Sequence, residues 1–219
     1  MLQVTKRGLL MDSTSTTNLR EMFERELYVR LPGFFSPEVL SLIEPHISAE
    51  NFFERVGEGR ELCMQINGAV AAVLLLVNDE ALFELIRRIT GCGRIHAFEG
   101  RVYRLVGGTN QYQRWHNDMV ENRFVAMSVN LGEPYGGGVL QVRDRSSKKI
   151  LAEVSNTKKG DAILFQISRK LEHRITQVTD SSIKTTFAGW FKGTGSFLHP
   201  SEHVEQGKNG GGNPSNGNT

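Results

Sequence analysis

Residues 124–131 read FVAMSVNL, and their alternation decides the fold class. Successive side chains of an extended chain point to opposite faces, so Val125, Met127, Val129 and Leu131 fall on one side and Ala126, Ser128 and Asn130 on the other. One face is an apolar core row. The other carries small and polar side chains, as the inner wall of a barrel would. Outward from this strand, short runs of β-branched and aromatic residues broken by glycine predict further strands. They cover Arg101–Val106, Tyr112–Asp118, Val139–Arg143, Ile150–Val154, Ala162–Gln166, Glu172–Val178 and Lys184–Phe191. With Phe124–Leu131 these make a sandwich or barrel.

The first half of the chain reads as helical scaffold. Ser36, Pro37 and Glu38 supply a hydroxyl cap, a first-turn proline and an acid at the positive dipole end, followed by Val39, Leu40 and Ile43 at helical spacing. Pro45 should end that helix. Asp79–Thr90 repeats the pattern, with Leu82, Leu85, Ile86 and Ile89 on one face and Gly91 as the stop. Ser- and Thr-rich residues 12–18 and the Gly/Asn-rich stretch Gly207–Thr219 have little to bury. The organisation expected is a flexible segment over 1–20, one domain over 21–205 with its β core at about 101–192, and a disordered tail over 206–219.

Composition narrows the function classes. The 219 residues are 39% hydrophobic and 23% charged, the balance of an ordinary globular protein. A net charge of +2 from 26 basic and 24 acidic residues makes no electrostatic case for nucleic acid or an anionic membrane surface. The longest apolar run, Ala69–Val77, has nine residues, against the ~20 that span a bilayer. Residues 1–10 lack the apolar stretch of a secretory signal. Cys63 and Cys92 are too few for a disulfide framework and fit no zinc spacing. A cytoplasmic protein with no nucleic-acid or membrane partner is the expectation.

The chemistry concentrates in three places. His116 and Asp118, two apart in an extended segment, would present an imidazole and a carboxylate to one point. Such a pair is also common on strands where it does nothing but bond to itself. His173 adds weight, because two imidazoles and one carboxylate form the facial set that suits non-haem ferrous iron and leaves coordination positions open. A 2-oxo acid filling those positions would bury its distal carboxylate, which needs a cation. Lys184 stands eleven residues beyond His173, with Thr186 on the same strand face to donate a hydroxyl. A lone strand lysine is otherwise merely solvated. His199 and His203 are four apart, but Pro200 and the tail make them poor ligands.

Tyr103–Phe191 resembles the double-stranded β-helix core of the iron(II)/2-oxoglutarate-dependent dioxygenases, in their prolyl-4-hydroxylase-like branch. The matching pieces come in order. Tyr112–Asp118 resembles the strand that ends in the His-x-Asp pair, and Gly136–Leu140 the glycine turn with its apolar strand. Gly160–Phe165 is similar to the strand before the distal ligand, His173–Val178 to the distal His segment, and Trp190 and Phe191 to the closing aromatic strand. Upstream, Leu31–Ile43 is similar to the first strand and helix. The resemblance implies a mainly β fold with flanking α-helices around a jelly-roll, cupin-like core.

It also implies Fe(II) held by His116, Asp118 and His173, with 2-oxoglutarate and O2 as cosubstrates and succinate and carbon dioxide as co-products. Lys184, Thr186, Asn130, Tyr103 and Tyr112 are the implied 2-oxoglutarate contacts. The family's basic anchor usually lies nine or ten residues past the distal His; Lys184 is one further, which leaves Arg174 as a fallback. A tyrosine often precedes the glycine turn, and Asn130 is read as its counterpart. Asp118, where halogenating relatives carry a small residue, favours hydroxylation, of an amino-acid side chain or a small natural product. A silent β-helix binding module, or a cupin-like metalloenzyme without a 2-oxo acid, would share the fold.

Overall fold

Two helix starts behave as their side chains dictate. Ser36 Oγ accepts from the Val39 amide at 3.3 Å, and Asp79 Oδ1 accepts from the Leu82 amide at 2.9 Å, each satisfying a first-turn donor that has no partner within its helix. The computed structural model describes residues 2–11, 16–120, 122–155 and 157–194. In chain order the first half holds β1 (Leu2–Thr5), β2 (Gly8–Met11), α1 (Thr16–Glu26), β3 (Tyr28–Leu31), α2 (Pro37–Ile43), β4 (Phe52–Val56), β5 (Gly59–Met64), α3 (Gly68–Val77) and α4 (Glu80–Thr90). The second half holds β6 (Arg94–Val106), β7 (Tyr112–Gln113), β8 (Arg123–Asn130), β9 (Gly136–Gly137), β10 (Leu140–Asp144), β11 (Ile150–Val154), β12 (Ala162–Gln166), β13 (Leu171–Ile175), β14 (Val178–Thr179) and β15 (Ile183–Thr194).

The larger sheet runs β3-β12-β8-β15-β6-β5-β4, with β7 beside β5, and faces a smaller sheet β11-β10-β13 and the pair β14-β9. Pairing is antiparallel throughout these sheets. This is the jelly-roll that the resemblance implied, and it fits the sandwich or barrel read from the strand pattern. On the outer face of the larger sheet, Val125, Met127 and Val129 join Val102, Phe187 and Phe191 in a core shared with Val73 and Val77 of α3 and Leu82, Ile86 and Ile89 of α4. Burying side chains of this size stabilises by about 1.5–3 kcal/mol each. Between the sheets a second cluster joins Ala126, Ile163 and Phe165 to Leu140, Val142, Val154 and Leu171. It fills one part of the roll and leaves the remainder open as a cavity.

Three expectations are corrected. Residues 2–11 are not loose: β1 and β2 form a hairpin, and Leu2 and Val4 belong to the core. The Val4 amide donates to the Phe34 carbonyl at 2.7 Å, a tertiary bond that local composition does not reveal. Residues 16–18 of the Ser/Thr-rich stretch begin α1. Tyr112–Asp118 is not one strand, since β7 stops at Gln113 and His116 makes only an isolated bridge to His173. The Gly/Asn-rich tail, His199 and His203 lie outside the described residues. No described helix is long and apolar enough to cross a membrane.

Candidate active site

The bridge between His116 and His173 builds the centre. Each backbone amide donates to the other's carbonyl, at 3.0 and 2.7 Å, which sets the two rings side by side with centroids 4.3 Å apart. His116 Nδ1 lies 2.7 Å from the Arg114 carbonyl. A carbonyl only accepts, so Nδ1 carries the proton and Nε2 is left as a lone-pair donor. Asp118 then reaches the rings by a backbone turn and not by strand alternation: its φ is +25°. Its Oδ1 lies 3.5 Å from His116 Nε2 and its Oδ2 3.1 Å from His173 Nε2. The three ligand-capable atoms sit within 4.8 Å of one another, and among the described residues no other such cluster forms.

The electrostatics suit a cation. Burial pushes the Asp118 carboxyl up, but hydrogen bonding to His173, the charge of both imidazoles and the Trp190 indole outweigh it and hold it at about 2. The carboxylate is therefore ionised at neutral pH. Burial pushes the His173 imidazole down, against the pull of Asp118, which favours the neutral, ligating form. Trp190 Nε1 donates to Asp118 Oδ2 at 2.7 Å, and Phe165 packs edge-on against His173. Both fix the orientation of the centre.

These residues line a cavity of about 700 Å³. The strand period is plain on β15, where Lys184, Thr186, Ala188 and Trp190 face the cavity while Phe187 and Phe191 face the helices. From β8, Ala126 and Ser128 join the wall, the small polar row read from the sequence. Lys184 is 7% exposed. Its Nζ donates to the Gly138 carbonyl at 2.7 Å and sits 5.2 Å from the centre of the Tyr135 ring, and no described carboxylate pairs with it. Burial pulls its pKa down to about 7. A model of the 2OG-Fe(II) oxygenase superfamily matches residues 100–192, the span from β6 to β15 that carries all of these groups.

Residues 100–192 thus carry a 2OG-Fe(II) oxygenase domain. The protein is thereby a dioxygenase whose cofactor is Fe(II) and whose cosubstrates are 2-oxoglutarate and O2. Solved structures share the fold. A prolyl-4-hydroxylase of Pseudomonas putida superposes with a TM-score of 0.61 at 16% identity, over 82% of this chain and 100% of that one. A 2OG-Fe(II) oxygenase family oxidoreductase of Burkholderia pseudomallei gives 0.64 at 14%, over 87% and 97%. A Trichoplax adhaerens prolyl hydroxylase, solved with a peptide of hypoxia inducible factor, gives 0.59 at 14%, over 81% and 88%. No curated protein sequence matches.

Within this oxygenase, the structure sorts the residues singled out from sequence. Tyr103 lines the cavity beside Lys184 and Thr186, and burial pushes its phenol up to about 12. Asn130 does not serve there. Its Nδ2 donates to the Thr157 carbonyl at 2.7 Å and its Oδ1 accepts from the Gly132 amide at 3.1 Å, so the amide is spent on loop closure. Arg174 is corrected too, since it follows His173 in β13 and projects to the opposite side. Its Nε donates to Gln141 at 2.8 Å and its guanidinium lies over Trp115. Tyr112 bonds with Arg114, its hydroxyl 3.2 Å from Nη2, outside the cavity wall.

Two residues escaped the sequence reading, Glu61 in the cavity wall and Tyr135 packed against the cavity-lining Lys184. Tyr135 immediately precedes the glycine turn, and its ring packs on Lys184. A Cβ on Gly138, at φ +59°, would meet the Tyr135 ring at 2.9 Å and the Lys184 chain at 3.1 Å, so this residue must be glycine for the two to close on each other. Glu61 enters from β5, its carboxylate bonded to Gln113 at 2.8 Å and lying 3.4 Å from Arg55. Nothing in the local pattern of β5 marks it. The Trp190 bond to Asp118 carries a prediction: Trp190→Phe removes the donor, and Fe(II) affinity should fall by roughly 10–100-fold, read by anaerobic calorimetry. Unchanged affinity would make the indole a packing group alone.

Proposed function

We propose that His116, Asp118 and His173 hold Fe(II), that Lys184 with Thr186 and Tyr103 receives the distal carboxylate of 2-oxoglutarate, and that the oxygenase hydroxylates an unactivated carbon of an amino-acid side chain, free or peptidyl, or of a small natural product. The observation that carries this is one cavity holding both a two-imidazole, one-carboxylate cluster and a buried lysine with no carboxylate partner among the described residues. The donor set fits ferrous iron: two neutral nitrogens and one anionic oxygen, on one side of a point that opens into the cavity. When bound, iron with 2-oxoglutarate and O2 supplies the oxidising power to replace C–H by C–OH. The chain supplies the rest. His116 is kept in the ligating tautomer by Arg114, Asp118 is kept ionised and aimed by Trp190, and Lys184 and Thr186 orient the cosubstrate.

An amino-acid or peptide substrate is supported by the fold shared with the two prolyl hydroxylases. Free, buried Cys63 and Cys92 support a reducing compartment such as the cytoplasm. The test of the reaction class is incubation of iron-loaded protein with 2-oxoglutarate, O2 and fractionated metabolites or peptides, reading succinate together with a product one oxygen heavier. Succinate release without iron dependence would refute it.

Lys184 gives the cosubstrate step a pH signature. Its free pKa of about 7 rises when a carboxylate docks, so below that pH the ammonium is already present and affinity is full. Above it, binding must take up a proton, and 2-oxoglutarate affinity weakens as pH rises, by up to about tenfold per unit. Calorimetry near pH 8 in two buffers of different ionisation enthalpy should show uptake of up to about one proton per cosubstrate. No uptake there would mean that Lys184 is charged beforehand or does not touch the ligand.

A further inference from the structure

Arg123, the first residue of β8, has an arrangement that the metal and cosubstrate do not explain. Its guanidinium lies over the Trp190 ring, with Cζ 3.7 Å from the ring centre, and it lines the same cavity as His116, Asp118 and His173. Its Nε is buried and has no hydrogen-bond acceptor among the described residues. A buried charged donor left without a partner is costly, and native structures rarely carry one without a use. Stacking on Trp190 holds the guanidinium at the cavity wall, and a planar guanidinium is the group best suited to grip a carboxylate.

The position separates this group from the cosubstrate. Lys184 and Trp190 are six residues apart along the cavity face of β15, so their Cα atoms are roughly 20 Å apart, and Trp190 is the residue that holds Asp118. An acid clamped between the metal centre and Lys184 therefore lies away from Arg123. Lys192, nearby on β15, is paired with Glu99 at 2.8 Å, whereas Arg123 has no ion-pair partner among the described residues, which suits an anionic group of the substrate. We propose that Arg123 is a specificity residue that pairs with a carboxylate of the primary substrate, at the end of the cavity opposite Lys184. This rests on the reading of the cavity as an Fe(II)/2-oxoglutarate site, and it narrows the substrate to a carboxylic acid, whether a free amino acid, a peptide C-terminus or an acidic side chain.

The test uses the full chain loaded anaerobically with Fe(II) and 2-oxoglutarate, titrated calorimetrically with a series of N-acetyl amino acids and with their C-terminal primary amides. At least one acid should bind wild type ten times or more tighter than its amide. Arg123→Gln should bind acid and amide alike, Arg123→Lys should keep part of the preference, and both should bind 2-oxoglutarate within about twofold of wild type. Amides that bind wild type as well as the acids do, a series in which no acid binds, or an Arg123→Gln that keeps the preference would each overturn the proposal. The cosubstrate titration on the same samples separates the two levels: wild type that fails to bind 2-oxoglutarate counts against the parent reading, whereas intact cosubstrate binding without acid preference counts against Arg123 alone.

Discussion

His116→Ala and His173→Ala are each expected to abolish high-affinity Fe(II) binding and, with it, all oxidation of 2-oxoglutarate to succinate. Each removes one of only two imidazoles in a cluster whose ligand-capable atoms lie within 4.8 Å, and the remaining pair cannot hold a facial geometry. The loss should exceed the roughly 10–100-fold that follows removal of an outer partner of a ligand. Asp118→Ala should abolish turnover as well but keep weak metal binding, because both imidazoles remain and a small anion can take the vacated place. Anaerobic calorimetry with Fe(II), alongside circular dichroism to show that the fold persists, distinguishes these outcomes. Wild-type iron affinity in either histidine variant would sink the ligand set.

The second large effect belongs to Lys184. Lys184→Ala should raise the 2-oxoglutarate requirement by about 100-fold or more, because breaking a buried charge pair costs ~3–5 kcal/mol and strands the cosubstrate's carboxylate. Iron affinity should barely change. Lys184→Arg keeps the charge, yet the side chain is wedged between Gly138 and the Tyr135 ring, a space too narrow for a guanidinium; a partial loss is expected. Arg174→Ala serves as the contrast and should titrate like wild type, since Arg174 faces Gln141 and Trp115. Succinate formation against 2-oxoglutarate concentration reads all three. A Lys184→Ala curve that overlays wild type would remove the anchor assignment.

Much of this was legible in the sequence, and the reasons are local. Alternation in Phe124–Leu131 told the helix-facing row from the cavity wall because a strand's period is set by covalent geometry. Helix α4 announced itself by its Asp79 cap and Gly91 stop for the same kind of reason. What escaped depends on contacts between distant segments. The β1-β2 hairpin is held by Val4 bonding to Phe34, thirty residues away, and no local pattern encodes that. His116 and Asp118 were rightly paired for the wrong reason, since a left-handed backbone turn at Asp118 brings the carboxylate to the imidazole. Asn130 reads as a cosubstrate contact because sequence shows which face a side chain is on, not that its amide is already engaged with Thr157. Glu61 and Arg123 join the site through sheet pairing across many residues, which a single sequence does not display.

The most direct test is whether 2-oxoglutarate bridges the metal centre and Lys184. Anaerobic calorimetry of 2-oxoglutarate into wild-type protein, with and without Fe(II), and into Fe(II)-supplied His173→Ala, measures this in one series. One equivalent should bind to the iron-loaded wild type, with affinity falling sharply both when iron is withheld and in the variant. Binding that is indifferent to iron, or absent from the iron-loaded wild type, would contradict the account.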